Sequence, residues 1–219
     1  MELNRYIDHT LLSASATESD ILRLCEEAIK YNFYSVCVNS CYVPIAKQAL
    51  VRSGVKICTV VGFPLGAMST EAKIFEAKNA IDQGATEIDM VMNIGRLKSK
   101  NHVAVLKDIN AVKRAIGLTP LKVILEISEL SKNEIVKACE ICIDANADFV
   151  KTSTGFSKSG ATLTAVKIMR KTVKDRLKVK ASGGIRDAET ALKYIEVGSD
   201  RIGASAGVSM MNNLVSKAS

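Results

Sequence analysis

The stretch Asp148-Phe149-Val150-Lys151-Thr152-Ser153-Thr154-Gly155 carries the side chain best suited to chemistry. An apolar run delivers Lys151 to the end of a buried strand, and a Ser/Thr/Gly loop follows. Burial disfavours the charged form of a lysine unless it gains a partner or a task. A desolvated amine is a nucleophile for carbonyl carbons. A lysine that snorkels from the strand end into water is the alternative. Two further strand-like stretches carry polar residues of complementary kind, Glu87-Ile88-Asp89-Met90-Val91-Met92 and Leu177-Lys178-Val179-Lys180-Ala181. Side chains alternate across a strand, so Asp89 shares a face with Glu87 and Val91, and Lys180 points away from the face of Leu177 and Val179. Asp89, Lys151 and Lys180 are then expected in one partly dry interior. A neighbouring ammonium disfavours protonation of Lys151 and frees its amine near neutral pH. Asp89 and Lys180 can relay protons for carbon–carbon cleavage through an iminium. On the residues alone, a buried Lys–Asp ion pair with a spare surface lysine stays open.

The glycines add a second kind of chemistry. Gly155 follows the Lys151 strand, Gly183-Gly184 follow the Lys180 strand, and Gly203 with Ser205 close the last strand. Glycine-rich turns let backbone N–H groups converge on an anion such as phosphate, although tight turns alone also explain them. Gly155 to Thr162 has the spacing of a nucleotide-binding P-loop, but Ala161 stands where the phosphate-binding lysine is required, which excludes that reading. His9 and His102 lie far apart with no metal-ligand spacing, so no metal site is expected. Cys139-Glu140-Ile141-Cys142 falls mid-helix with no matching second pair, so its thiols read as small buried hydrophobes.

Elements that could hold these residues repeat along the chain. Short β-branched runs are predicted at Tyr6-Ile7-Asp8-His9, 35–39, 55–61, 87–92, 122–127, the Lys151 stretch, 177–181 and 201–205. Helix-period segments separate them, with Thr17/Asp20 and Ser131/Glu134 as capping boxes, Asp187 as a cap, and stops at Gly54, Gly84 and Gly198. A single helix is expected from about Ser99 to Ile116. Eight strand-helix units in 219 residues argue for one (β/α)8 TIM barrel spanning the whole chain, residues 1–219. An open doubly wound sheet is the alternative. In a barrel the catalytic face lies at the strand C-terminal ends. Asp8, Asp89, Lys151 and Lys180 are expected there, with Glu126 as a weaker member, and the loops after strands seven and eight form the usual phosphate cradle.

Composition narrows the classes. Apolar residues make up 47% and charged residues 24%, as in ordinary globular proteins. No apolar stretch is long enough to span a bilayer and no export signal opens the chain, so no membrane association and a cytoplasmic location are expected. The net charge of +7 fits nucleic acid or an anionic small substrate. The densest basic stretch, Lys167 to Lys180, places Lys167, Arg170, Lys171 and Lys174 on one side of a helix, as a solvated outer face does. Five Tyr, five Phe and no Trp leave little for base stacking, so no nucleic-acid partner is expected.

Six ordered blocks resemble the deoxyribose-phosphate aldolase family of class I aldolases. They are Ile7-Asp8-His9-Thr10, Val36-Cys37-Val38-Asn39, Val60-Val61-Gly62-Phe63-Pro64-Leu65-Gly66, Glu87-Ile88-Asp89-Met90-Val91, Phe149-Val150-Lys151-Thr152-Ser153-Thr154-Gly155 and Val179-Lys180-Ala181-Ser182-Gly183-Gly184-Ile185. The resemblance implies a (β/α)8 barrel that reversibly cleaves 2-deoxy-D-ribose 5-phosphate. Lys151 would be the Schiff-base lysine, and Asp89 and Lys180 the proton-relay pair. Gly155, Gly183, Gly184, Gly203, Ser205, Asp8 and Cys37 are taken as binding residues for the phosphosugar. It further implies no metal, no organic cofactor, and a homo-oligomer, either a dimer or a tetramer. Two departures stand out. Gly203-Ala204-Ser205-Ala206 lacks the paired serines of some relatives, so one side-chain phosphate contact is expected to be missing. The chain also ends Asn213-Leu214-Val215-Ser216-Lys217-Ala218-Ser219, where some relatives carry a terminal tyrosine that assists proton transfer.

Overall fold

A computed structural model describes residues 2–216. Residues 217–219, the end of the tail compared above with a terminal tyrosine, lie outside them. The strands are β1 (Ile7–Leu11), β2 (Ser35–Val38), β3 (Lys56–Val61), β4 (Glu87–Val91), β5 (Leu121–Ile124), β6 (Phe149–Lys151), β7 (Lys178–Ser182) and β8 (Arg201–Ala204). They pair in sequence order, all parallel, and β8 closes on β1. The helices α1 (Glu18–Lys30), α2 (Val43–Leu50), α3 (Thr70–Gln83), α4 (Ile94–Lys98), α5 (His102–Ile116), α6 (Lys132–Asp144), α7 (Leu163–Val173), α8 (Ala188–Glu196) and α9 (Gly207–Ser216) follow the strands. The result is a (β/α)8 barrel, and the open doubly wound alternative falls.

Local signals set many of the helix boundaries. Thr17 with Asp20 and Ser131 with Glu134 form reciprocal capping boxes, which satisfy N–H groups that the first helical turn cannot. The single helix expected from about Ser99 is instead two. Asn93 caps α4, Asn101 caps α5, and Lys100 between them takes a left-handed φ of 58°. Each asparagine accepts a backbone N–H and so competes with helix continuation. Strand β5 also ends earlier than expected, because Glu126 turns left-handed at φ 56°.

The apolar core is a ring, not a centre. Ile88, Met90, Val123, Val150, Val179 and Ile202 point outward from the strands and are fully buried against helix residues such as Ile109, Cys139, Val166 and Met169. A buried ion pair also ties helices to sheet in this layer. Lys73 on α3 donates to Asp108 on α5 at 2.7 Å and to the Val91 carbonyl of β4 at 3.0 Å.

The barrel interior, by contrast, is mostly polar. Leu12, Cys37, Cys58 and Val60 form a small apolar cluster there, and charged side chains occupy much of the remainder. Toward the strand N-terminal ends, Arg201 bonds both Asp8 and Glu87, and its guanidinium lies 3.4 Å from the centre of the Tyr34 ring. Ser35 donates to Asp8 at 2.7 Å. Burial alone would raise the Asp8 carboxyl, but Lys180 and Arg201 outweigh it and hold the group well below the usual carboxylate range. A carboxyl depressed in the folded state contributes stability that is present above its unfolded pKa, near about 3.9, and is lost as pH falls through the folded value. Asp8→Asn should therefore lower the urea-unfolding free energy at pH 7 by about 3–5 kcal/mol, the cost of breaking a buried pair. The gap between parent and variant should narrow as pH drops below about 4. A gap that stays constant from pH 7 to pH 3 would show that Asp8 contributes packing rather than charge.

Candidate active site

Lys151 ends β6, and the strand register sets it directly beside Lys180 on β7. Its Nζ donates to Asp89 Oδ2 at 2.7 Å, and Lys180 donates to the same oxygen at 2.8 Å. The other oxygen, Oδ1, accepts from Lys122 on β5 at 2.8 Å and from the Cys58 thiol on β3 at 3.0 Å. One carboxylate therefore anchors three ammonium groups. Of the three lysines, Lys151 alone lines the open cleft, while Lys122 and Lys180 are fully buried.

The electrostatics divide the labour. Burial would raise the Asp89 carboxyl, but Lys122, Lys151 and Lys180 reverse this and hold it well below the usual range, so it is a carboxylate at neutral pH. Burial would lower Lys180, but Asp8, 2.5 Å away, and Asp89 outweigh it and raise the group. Lys180 is therefore an ammonium at neutral pH. Together with Lys122 and Arg201 it faces Asp8, Glu87 and Asp89, so these interior charges balance before Lys151 is counted.

The cleft above this network encloses about 460 Å³. Gly155, Gly183, Gly184, Gly203 and Ser205 all line it, along with Thr154, Ser182 and Arg186. The loops after β6 and β7 meet backbone to backbone. The Ala161 N–H donates to the Gly183 carbonyl at 3.0 Å, and a Cβ on Gly160 would lie 2.1 Å from that oxygen. Gly203 leaves room for the Lys180 stem, whose Cε would stand 3.1 Å from an added Cβ. At the mouth, the rings of Phe63 and Phe156 pack edge to face with centres 5.2 Å apart.

Glu126 supports the rim. Its carboxylate accepts the Thr154 hydroxyl and lies 3.4 Å from the Thr154 N–H. Burial pushes its carboxyl up, against the pull of these hydrogen bonds. A left-handed φ in a non-glycine residue stores backbone strain, and such strain clusters at functional sites.

Several sequence expectations need correction. Asp8, Asp89 and Lys180 are not at strand C-terminal ends. Each lies within its strand, is fully buried in the barrel interior and does not line the cleft. Strand tilt in a barrel stacks inward side chains in layers, and a linear pattern does not display that stagger. Asp8 and Cys37, taken as binding residues, are fully buried and do not line the cleft. Asp8 acts on Lys180 and Arg201 instead, and Cys37 is held in register with Cys58. Lys122, Cys58, Arg201, Thr154 and Arg186 join the site in three dimensions without being expected there from the sequence. Alternation could have found Lys122 and Arg201, since each breaks an apolar strand on the inward parity. No local signal marks Cys58 or Arg186.

Residues 3–217 match a family model described as DeoC/LacD family aldolase. A deoxyribose-phosphate aldolase from Finegoldia magna is 59% identical, over 96% of this chain and 99% of its own length. One from Mannheimia succiniciproducens is 57% identical, over 97% and 95% respectively. A solved deoxyribose phosphate aldolase from Aeropyrum pernix, described as having a unique tetrameric structure, superposes with a TM-score of 0.89 at 34% identity, covering 98% of this chain and 92% of that one. Agreement that runs from the first strand to the last helix, in both sequence and backbone, makes this chain a member of the DeoC/LacD family of aldolases, and so a lyase.

Proposed function

We propose that the enzyme reversibly cleaves 2-deoxy-D-ribose 5-phosphate to D-glyceraldehyde 3-phosphate and acetaldehyde through a Schiff base on Lys151, in the breakdown of deoxynucleosides. The observation that carries this reading is the position of Lys151. It is the member of a three-lysine cluster that opens to the cleft, while its partners are enclosed by carboxylates. The names of the relatives support the choice of sugar phosphate.

The chemistry follows from the contacts. Lys151 gives up a proton, and its amine adds to the C1 aldehyde of the open-chain sugar. Loss of water leaves an iminium, for which Lys180, held as an ammonium, supplies the proton to the departing hydroxyl. The Lys180 amine left neutral by that transfer takes the C3 hydroxyl proton, the C2–C3 bond breaks, and its electron pair becomes the C1=C2 bond of an enamine while the iminium nitrogen is neutralised. Glyceraldehyde 3-phosphate leaves. Protonation at C2 and hydrolysis release acetaldehyde and restore the lysine. Asp89 Oδ2 touches both Lys151 and Lys180, so protons pass between the amines along one short path. The phosphate is placed among the backbone N–H groups near Gly155, Gly183, Gly184, Gly203 and Ser205, with Arg186 adding charge at the rim. Each step uses an amine, an ammonium or a carboxylate, and none calls for a metal or an organic cofactor. We place the enzyme in the cytoplasm, where its six cysteines, all free, stay reduced. We also read it as a homo-oligomer, a dimer or tetramer, in line with the tetrameric A. pernix relative. Among the described residues no helix is long and apolar enough to cross a membrane.

Sodium borohydride with acetaldehyde should trap an adduct that peptide mapping places on Lys151, and Lys151→Ala should abolish it. An unmodified parent would rule out the imine. Incubation with deoxyribose 5-phosphate should release acetaldehyde and glyceraldehyde 3-phosphate. A trapped lysine without these products would retain the mechanism and reject the substrate. Lys180→Met should lower kcat by about 100-fold or more, the scale of a lost general acid, and should slow borohydride trapping in parallel. Normal trapping with slow turnover would place Lys180 after imine formation.

A further inference from the structure

Three metal-binding atoms converge inside the barrel next to the lysine cluster. Cys37 on β2 and Cys58 on β3 are register partners, so both thiols project into the same interior layer. Their sulfurs and a carboxylate oxygen of Asp89 all lie within 4.8 Å of one another. All three residues are fully buried. We propose that Cys37, Cys58 and Asp89 form a binding site for a thiophilic divalent cation, Zn²⁺ or Cd²⁺, whose occupation stops turnover.

The donor set suits such an ion. Two thiolates and one carboxylate are borderline-soft ligands that favour zinc and its heavier congener over magnesium or calcium. Metal–sulfur bonds of about 2.3 Å in a tetrahedron put the two sulfurs about 3.8 Å apart. Small side-chain shifts reach that spacing. A disulfide would need the sulfurs at about 2.05 Å, a much larger closure between residues on neighbouring parallel strands. The fourth position is left to water.

The Lys122 ammonium, which donates to both Asp89 Oδ1 and the Cys58 sulfur, gives way to the ion and keeps Glu87 at 2.7 Å, and the exchange leaves net charge unchanged. Two S–H bonds break, two metal–sulfur bonds form, and two protons leave to solvent. A dication thus replaces two protons, and no electron is transferred. At Asp89, Oδ1 exchanges the Cys58 thiol and the Lys122 ammonium for the metal. That draws the carboxylate away from the amines it anchors, which is why occupation inhibits. Access requires movement of one side-chain layer, since Leu12 packs on the thiols and also lines the cleft.

Cys139 and Cys142 are the other buried pair, one turn apart on α6. Among the described residues they have no third ligand. The metal site does not depend on the identity of the sugar, and the absorption that reports its occupation is independent of turnover.

The test is a Cd²⁺ titration of reduced protein carrying Cys41→Ser, which removes the exposed thiol, followed by thiolate-to-cadmium absorption in the ultraviolet and by aldol cleavage. The expected result is one equivalent bound, activity falling in step with the absorption, and both reversed by a chelator. Cys37→Ala and Cys58→Ala should each weaken binding by more than about 100-fold, the upper scale for losing an outer-shell partner. Should either variant fold poorly, Cys41→Ser/Cys139→Ala/Cys142→Ala supplies the decision, because it keeps the proposed thiols. An undiminished two-thiolate band there supports the site. A band that disappears there, one that survives Cys37→Ala or Cys58→Ala, or no band in the starting protein overturns it.

Discussion

The Asp89 carboxylate is the interaction on which the rest of the structure depends. It accepts hydrogen bonds from Lys122, Lys151 and Lys180 in a fully buried position. Ammonium groups without partners in such a place would carry a large desolvation penalty. Asp89 meets part of that demand, and Asp8 and Glu87 meet the remainder through Lys180, Lys122 and Arg201. The lysine that opens to the cleft is therefore held by a charge network that extends to the opposite end of the barrel.

This network explains why the apolar core is annular. A (β/α)8 barrel can fill its interior with branched aliphatic side chains. Here Cys37, Cys58, Val60 and Leu12 form only a small apolar cluster inside. Apolar packing lies between strands and helices, where it supplies the hydrophobic stabilisation that a charged interior does not. Buried ion pairs contribute little net stability but are costly to break singly. The interior is thus rigid in geometry without being the source of the fold's stability, which suits a site that must hold amines within hydrogen-bonding reach of one oxygen.

Much of the site was legible from the chain because a strand has a period of two. That period turned Asp89 and Lys180 inward with Lys151, and the glycines after β6, β7 and β8 do line the cleft. The same rule, applied evenly, would have added Lys122 and Arg201. Cys58 could not be found this way. Its relation to Asp89 depends on pairing across β3 and β4 with the barrel's stagger, and a thiol in an apolar strand looks like any small hydrophobe.

What the sequence determined by itself is the alternation of elements, the caps that start α1 and α6, and the parity that separates an outward apolar face from an inward polar one. These are local properties, set by backbone periodicity and by side chains bonding within a few residues. Closure of the sheet, the depth of each inward residue and the choice of partners were decided only in three dimensions. Asp8 could be read as a binding residue but not as the counter-ion of Lys180 and Arg201, which lie 172 and 193 positions away in the chain. Which lysine faces the cleft and which are sealed beneath it depends on strand tilt and register, and those exist only once all eight strands have met.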